Sequence, residues 1–214
     1  MNDLTAVNVL VAPDATTARH AHAWNARMRA GVPDGFTLDA SLRPHITTLQ
    51  RYVRTADLDD VYEAVRLTLA ATDASRLSYR AVAIGHADRG VPGQGLAGIL
   101  LRPGPQVLGL QAALLDAIAP FTESGGTAAA FVTDPGGSIS RSTLDWVESY
   151  VPDQIGPDRY TAHITVGFAT LDDLRAIEAE PFDAFTVRPS AVAVHQLGDS
   201  GAARRLLRTW PTPD

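Results

Sequence analysis

Two short stretches, far apart in the chain, each place a histidine and a threonine two residues apart. The first contains His45 and Thr47, the second contains His163 and Thr165, and an isoleucine stands between the pair in both. Apolar and β-branched neighbours favour an extended strand, on which residues i and i+2 point to the same face. Each stretch is therefore predicted to present one imidazole and one hydroxyl side by side, while its isoleucine points into a core.

Two such strands facing each other would form a symmetric site with two imidazoles and two hydroxyls. One imidazole can take a proton from an attacking group while the other delivers a proton to a leaving group. The hydroxyls can donate hydrogen bonds to oxygens on which negative charge develops. A metallohydrolase is the least favoured interpretation, because each strand offers one histidine ligand and no carboxylate at ligand spacing beside it.

Similar patterns follow each His-x-Thr triplet, which indicates an internal duplication. A helical stretch and then two strand-like segments come after the first triplet, and the same order recurs after the second. The predicted ranges are 57–71, 78–86 and 95–102 in the first copy, and 171–180, 191–197 and 204–210 in the second. One triplet per copy predicts that the two copies build the two halves of one site.

Local patterns elsewhere predict the elements that position the triplets. They are a strand at 6–12, a helix from Thr16 or Thr17 to residue 30, a strand and turn at 35–43, a turn at 87–94, a helix at 105–119, and a short helix at 142–150 that residues 152–157 end. Residues 122–140 are rich in Gly, Ser, Thr and Ala. They predict a loop that is either a lid or a surface excursion.

With these triplets in a duplicated frame, the chain resembles the two-histidine (2H) phosphoesterase superfamily, the family of 2′-5′ RNA ligase-like proteins and cyclic phosphodiesterases. The resemblance covers most of the chain. It implies an α+β fold, a bilobal pseudo-symmetric duplication over residues 1–214 with interleaved lobes, in which two antiparallel sheets form a central cleft and the helices lie outside. The histidines are 118 residues apart (163 − 45), which is longer than in compact members. The extra length lies in residues 121–157, within a loop or flap at about 121–158 that connects the lobes.

The resemblance also implies a function. It is that of a metal-independent phosphodiesterase, without cofactor, that acts on a 2′,3′-cyclic phosphate or a related nucleotide or RNA-end phosphodiester. His45 and His163 would be acid and base, in an order that the sequence leaves open, and Thr47 and Thr165 would hold the non-bridging oxygens. Run backwards, the same site would perform 2′-5′ RNA ligation. The alternative is a non-catalytic module that binds a nucleotide or RNA end, although binding alone does not need two titratable groups.

Three further residues are candidates for substrate binding. Arg43 stands two residues before His45 and can share its face, so that it can contact a phosphate. Tyr160 can stack on a base from the strand end, although packing in the core is favoured. Arg204 can point into the cleft from the closing strand. His195 is interpreted as a supporting residue that can orient a side chain of a triplet.

Composition excludes several other kinds of chemistry. The chain has no cysteine, and all 18 of its basic residues are arginine. These absences exclude thiolate nucleophiles, zinc sites with cysteine ligands, a lysyl-nucleotidyl intermediate and a Walker-type phosphate loop. The net charge of −6 argues against binding to long duplex nucleic acid. It leaves room for a small anionic substrate held locally.

The chain is long enough to bury a sizeable core, since 45% of its 214 residues are hydrophobic. No run approaches eighteen apolar residues, and the first residues lack the pattern of a signal peptide. The expectation from sequence is a soluble, cytoplasmic monomer without a membrane partner.

Overall fold

The computed structural model of the protein describes residues 3–88 and 91–212. The strands and helices predicted for the two copies are present. In chain order the elements are β1 (Leu4–Pro13), α1 (Ala15–Gly31), β2 (Ile46–Arg54), α2 (Leu58–Ala70), β3 (Tyr79–Ala87), β4 (Gln94–Pro103), α3 (Pro105–Ile118), α4 (Arg141–Gln154), β5 (His163–Thr170), α5 (Leu171–Glu178), β6 (Phe185–Val187), β7 (Pro189–Leu197) and β8 (Ala203–Pro211). Of the helices described, none is both long and apolar enough to cross a membrane. The predicted turn at 87–94 includes Arg89 and Gly90, which lie outside the described residues.

The strands form two four-stranded antiparallel sheets. The first sheet has the order β2-β1-β7-β8 and the second has the order β5-β4-β3-β6. Each sheet carries one triplet strand at its edge, β2 in the first and β5 in the second. The chain passes from β2 through α2 into the second sheet. From β5 it passes through α5 and the short strand β6, at the far edge of the second sheet, before it returns to the first sheet at β7. The α+β fold with two antiparallel, pseudo-symmetric sheets is thus confirmed.

The pseudo-symmetry extends to individual residues. Thr47 lies opposite Leu10 in the first sheet, and Thr165 lies opposite Gly98 in the second. In both strands a β-bulge follows at the next residue, because the register with the inner strand shifts there by one. The two triplets therefore occupy equivalent positions in equivalent edge strands.

A continuous apolar core joins the sheets to the helices. The two isoleucines of the triplets, Ile46 and Ile164, are fully buried in it, as the strand periodicity predicts. Helix α2 contributes the predicted stripe: Val61 and Val65 are fully buried, and Leu58 packs against the same core. Burial of the isoleucines fixes which face of each edge strand is left for the histidine and the threonine.

The strand predicted at 35–43 is wrong. These residues form an irregular loop between α1 and β2. The backbone groups of Phe36 and Leu38 make their hydrogen bonds with a side chain, not with a neighbouring strand. Asn25 Oδ1 accepts a hydrogen bond from the Leu38 amide at 3.0 Å, and Asn25 Nδ2 donates to the Phe36 carbonyl at 3.1 Å. With these groups occupied by a buried amide, the segment does not join a sheet.

Two predicted helix ends are also corrected. Helix α1 is capped by Asp14, not by Thr16 or Thr17, since the Asp14 carboxylate accepts a hydrogen bond from the Thr17 amide at 2.8 Å. Helix α4 continues past the predicted residue 150 to Gln154, within the stretch 152–157 that was predicted to end it. Pro152 has no backbone N–H and so costs the helix one hydrogen bond, but only two helical residues follow it.

A buried glutamine ties three elements together next to the first triplet. Gln111 on α3 is almost fully buried. Its Nε2 donates to the carbonyls of Thr48 and Gln154 at 3.1 and 3.3 Å, and its Oε1 accepts from the Gly156 amide at 3.2 Å. The amide thus connects the bulge of β2 to the end of α4.

We expect Gln111→Leu to lower the free energy of unfolding by about 2–4 kcal/mol, because it leaves two carbonyls and one amide without their buried partner. Urea denaturation followed by circular dichroism measures the change. Ala112→Leu, which adds the same side chain at an exposed position of the same helix, is the matched control and should change stability by less than about 0.5 kcal/mol. Equal stability of the two variants would contradict the structural role given to Gln111.

Candidate active site

The two triplets meet in one cleft between the sheets. The cleft has a volume of about 320 Å³, and His45, Thr47, His163 and Thr165 all line it. The four residues singled out from sequence are therefore brought together, two from each edge strand. His45 lies directly before β2, and His163 is the first residue of β5.

Both imidazoles are held in the same way, by the backbone carbonyl two residues upstream. Nδ1 of His45 lies 2.9 Å from the carbonyl oxygen of Arg43, and Nδ1 of His163 lies 2.7 Å from that of Thr161. A carbonyl oxygen can only accept, so Nδ1 must carry the hydrogen in both rings. Nε2 is then the nitrogen that takes up and releases a proton.

The protonation of the two rings is linked. Burial lowers the pKa of His45 below its ordinary value, and the nearby charge of His163 lowers it further, while the hydrogen bond to the Arg43 carbonyl acts in the opposite direction. Two imidazolium ions in one cleft repel each other. The site therefore favours a neutral ring at His45.

Tyr160 packs in the core and connects the two triplets. Its side chain is 7% exposed and lies at the base of the cleft. Its hydroxyl donates a hydrogen bond of 2.7 Å to the carbonyl of Thr47, and burial raises its pKa well above the ordinary value, so that it stays neutral. The structure thus places Tyr160 in the core position that the sequence favoured, at the joint between the segment before His163 and strand β2.

Both candidate arginines reach the rim of the cleft. Arg43 and Arg204 line it, Arg43 with an exposed side chain whose Nε donates to the Ala40 carbonyl at 3.3 Å. Arg204 forms an ion pair with Asp134, which lies in the segment between α3 and α4. The rim therefore carries two guanidinium groups, one of them already paired with a carboxylate.

The two walls of the cleft differ in polarity, a feature that the sequence analysis missed. Gln50 lies three residues after Thr47, and Phe168 lies three residues after Thr165; both line the cleft. Gln50 accepts a hydrogen bond of 3.0 Å from the indole of Trp146, whereas Phe168 contacts the ring of Phe36 edge to face. The wall at the first triplet is polar and the equivalent wall at the second is apolar. The sequence does contain a signal for these two wall residues, since each lies three positions after the threonine of its triplet.

A short loop, residues 198–201, borders the cleft next to its polar wall. Asp199 accepts hydrogen bonds from the Ser140 amide and the Thr143 hydroxyl, at 2.8 and 2.7 Å. Burial raises the pKa of Asp199, but these hydrogen bonds outweigh it and the net pKa is lowered, so the carboxylate stays charged. The next residue, Ser200, has a left-handed backbone with φ of 56°, a strained conformation for a residue with a side chain. The loop binds the start of α4 to the cleft.

The other histidines lie away from the cleft lining. His20 stacks on Phe185, His22 is exposed, and His86 pairs with Glu178 at 2.6 Å. Within residues 3–88 and 91–212, no three histidine or acidic side chains converge in a way that would hold a metal ion.

Comparisons with known proteins find likeness among solved structures. No family model matches the chain, and no curated protein matches it. Among solved structures, the chain is similar to Usb1 from Kluyveromyces marxianus, with 10% sequence identity, a TM-score of 0.46 and coverage of 99% of both chains. Function is therefore inferred from the geometry of the cleft.

His195 lies behind the first triplet, on β7. Burial lowers its pKa to about 4, and the charges of His45 and Arg43 act in the same direction, against a hydrogen bond to the Ala203 backbone. The ring is therefore neutral in the folded protein at neutral pH. In the unfolded chain its pKa returns to about 6.5.

This difference predicts how stability depends on pH. Between about pH 6.5 and pH 4 the unfolded chain binds a proton at this position that the folded protein does not, so the free energy of unfolding falls as the pH is lowered through this window. His195→Gln should lose less stability than the wild type on acidification from pH 7 to pH 4, as measured by urea denaturation at each pH. His22→Gln, at an exposed position, should follow the wild type. Parallel curves for His195→Gln and the wild type would contradict the lowered pKa.

Proposed function

We propose that the chain is a metal-independent phosphodiesterase of the two-histidine phosphoesterase kind. Its substrate is a 2′,3′-cyclic phosphate or a related phosphodiester of a nucleotide or an RNA end. The observation that carries the proposal is the matched pair of imidazoles in one cleft, each with Nδ1 bound to the carbonyl two residues upstream. A binding site does not need two rings poised alike for proton transfer, whereas acid–base catalysis does.

The lowered pKa of His45 favours this residue as the base in hydrolysis. Its lowered pKa leaves Nε2 with a lone pair that takes a proton from the attacking water. A bond forms between the water oxygen and phosphorus, and the bond from phosphorus to the ribose oxygen breaks. His163 in its protonated form gives its proton to that ribose oxygen. When a hydroxyl attacks the cyclic phosphate in place of water, the two rings keep these roles: the hydroxyl oxygen is joined to phosphorus and the same ribose oxygen leaves. In the reverse of that ligation the rings exchange roles and the cyclic phosphate is formed again.

The threonines and the rim complete the binding of the phosphate. Thr47 and Thr165 stand beside the two imidazoles, where their hydroxyls donate to the non-bridging oxygens and stabilise the charge that develops on them. Arg43 offers positive charge at the rim, whereas Arg204 would have to exchange the Asp134 carboxylate for the phosphate. The volume of about 320 Å³ lies at the lower end of small-molecule pockets and suits a mononucleotide or a single terminal nucleotide. We propose this small phosphodiester, not a long duplex, as the partner.

The purified protein should hydrolyse a nucleoside 2′,3′-cyclic phosphate, or an RNA that ends in one, in the presence of excess chelator. The measurement is chromatographic separation of the 2′- and 3′-phosphate products. The substrates to compare are nucleoside cyclic phosphates, cyclic-phosphate RNA ends, 2′-5′ linked oligomers and ADP-ribose cyclic phosphate. Activity that disappears on chelation and returns with zinc or manganese would contradict the metal-free mechanism.

His45→Ala and His163→Ala should each lower kcat/KM by at least about a hundredfold, because each removes a proton-transfer group. The wild type should show a bell-shaped dependence of kcat/KM on pH. Thr47→Ala and Thr165→Ala should each cost about 1–3 kcal/mol of transition-state stabilisation, the value of one hydrogen bond to a charged group. His22→Ala and His86→Ala, outside the cleft lining, are the controls and should retain wild-type turnover.

The histidine variants also separate catalysis from binding alone. If both histidine variants keep wild-type turnover and lose only affinity for the nucleotide, the acid–base pair is refuted. The chain would then act as a module that binds a nucleotide or an RNA end on the same fold.

A further inference from the structure

A fully buried asparagine binds the threonine of the first triplet. Asn8 lies on β1, next to the edge strand β2, and is 0% exposed. Its Nδ2 donates a hydrogen bond of 3.3 Å to Oγ1 of Thr47. A threonine hydroxyl has one hydrogen and two lone pairs. Because the amide hydrogen occupies one lone pair, the hydroxyl hydrogen must point elsewhere, and Thr47 lines the cleft.

The polar row around Asn8 continues across the first sheet. Asn8 is paired in register with Gln50 on β2 and with His195 on β7. Oδ1 of Asn8 and Nδ1 of His195 are both buried and have no hydrogen-bond partner among the described residues. Asn8 is thus flanked on both sides by polar side chains on the cleft side of the sheet, in a row that ends at Gln50 in the cleft wall.

The second triplet has no counterpart of this row. Through the pseudo-symmetry, Asn8, which is paired with Gln50, corresponds to Leu96, which is paired with Phe168. Leucine cannot donate a hydrogen bond, and the residue directly opposite Thr165 is Gly98. The two threonines share the preceding His-Ile but differ in what orients their hydroxyls.

We propose that Asn8 is a positioning residue that orients the hydroxyl of Thr47 toward the phosphate, and that the two threonines are therefore unequal. This inference rests on the proposed function, in which both threonines donate to phosphoryl oxygens. Thr47 donates from an orientation set before the substrate arrives, whereas Thr165 must be ordered by the substrate. Preorganised donors stabilise a transition state at no cost of reorganisation. Thr47→Ala should consequently reduce kcat/KM more than Thr165→Ala does.

Two substitutions of Asn8 test the orientation in opposite ways. Asn8→Leu installs the side chain found at the equivalent position of the second sheet and removes the donor. Asn8→Asp replaces the donor by a carboxyl group whose ionised form can only accept, so that the Thr47 hydroxyl donates to residue 8 and is lost to the substrate. Because burial raises the pKa of a carboxyl group, this variant is compared with the wild type at several pH values up to about pH 9, and its loss of activity relative to the wild type should grow as the pH rises. We expect Asn8→Leu to lower kcat/KM several-fold, and Asn8→Asp to lower it by about tenfold, as far as Thr47→Ala does.

Double-mutant cycles separate positioning from general damage to the fold. Each Asn8 variant is combined with Thr47→Ala and, as the matched control, with Thr165→Ala. The combination with Thr47→Ala should be no worse than Thr47→Ala alone, because the hydroxyl that Asn8 orients is already gone. The combination with Thr165→Ala should show the product of the two effects. Equal, multiplicative losses with both threonines, or wild-type activity of both Asn8 variants, would overturn the proposal.

Binding of inorganic phosphate, measured by calorimetry on the same variants, gives a readout that does not depend on turnover. The same coupling between Asn8 and Thr47, without coupling to Thr165, is expected in the phosphate affinity. If the wild type binds phosphate with this pattern but hydrolyses no phosphodiester, the proposed function fails and the positioning role stands. If the wild type turns over and neither measurement shows the coupling, the positioning role fails and the proposed function stands.

Discussion

The hydrogen bond from each histidine to the carbonyl two residues upstream is the constraint on which the site depends. In an edge strand the ladder uses only part of the backbone carbonyls, and the others face away from the sheet. Each histidine stands where its edge strand begins and uses a carbonyl that the ladder leaves free: His45 directly precedes β2, and His163 opens β5. Before β5, the carbonyl of Ala162 accepts a hydrogen bond from the Leu101 amide of β4, whereas the carbonyl of Thr161 bonds to the imidazole of His163. The start of an edge strand thus determines the tautomer of a side chain.

The bulge after each threonine explains which other residues reach the cleft. In an uninterrupted strand, residues three apart point to opposite faces. The extra residue in each edge strand restores the face, so that Thr47 and Gln50 share one wall and Thr165 and Phe168 share the other. The two-residue periodicity of a regular strand therefore predicts that the threonines face the cleft, but it does not predict that Gln50 and Phe168, three positions later, face it too. The bulge is a property of strand pairing, and no residue type in either triplet predicts it.

The sequence sufficed for features that are local or repeated. The triplets, the duplicated order of helix and strands and the burial of Ile46 and Ile164 follow from short-range patterns. Contacts between segments that are distant in the chain could not be predicted from these patterns. The loop at 35–43 is irregular because Asn25, on the preceding helix, binds its backbone. Tyr160 bonds to a carbonyl 113 residues earlier in the chain. Such partners are set by how the two sheets face each other, which composition and periodicity do not encode.

Duplication supplies two equal imidazoles, but a phosphodiester reaction needs an acid and a base. The difference must therefore come from residues that the duplication does not share. The first triplet is backed by Asn8 and Gln50, where the second has Leu96 and Phe168. Burial and the charge of the opposite ring lower the pKa of His45. Because each ring also carries its proton on the same nitrogen, the two can exchange roles without moving. In the proposed reaction, a symmetric pair in asymmetric surroundings would thus have one ring favoured as the base and would still allow the two rings to exchange roles.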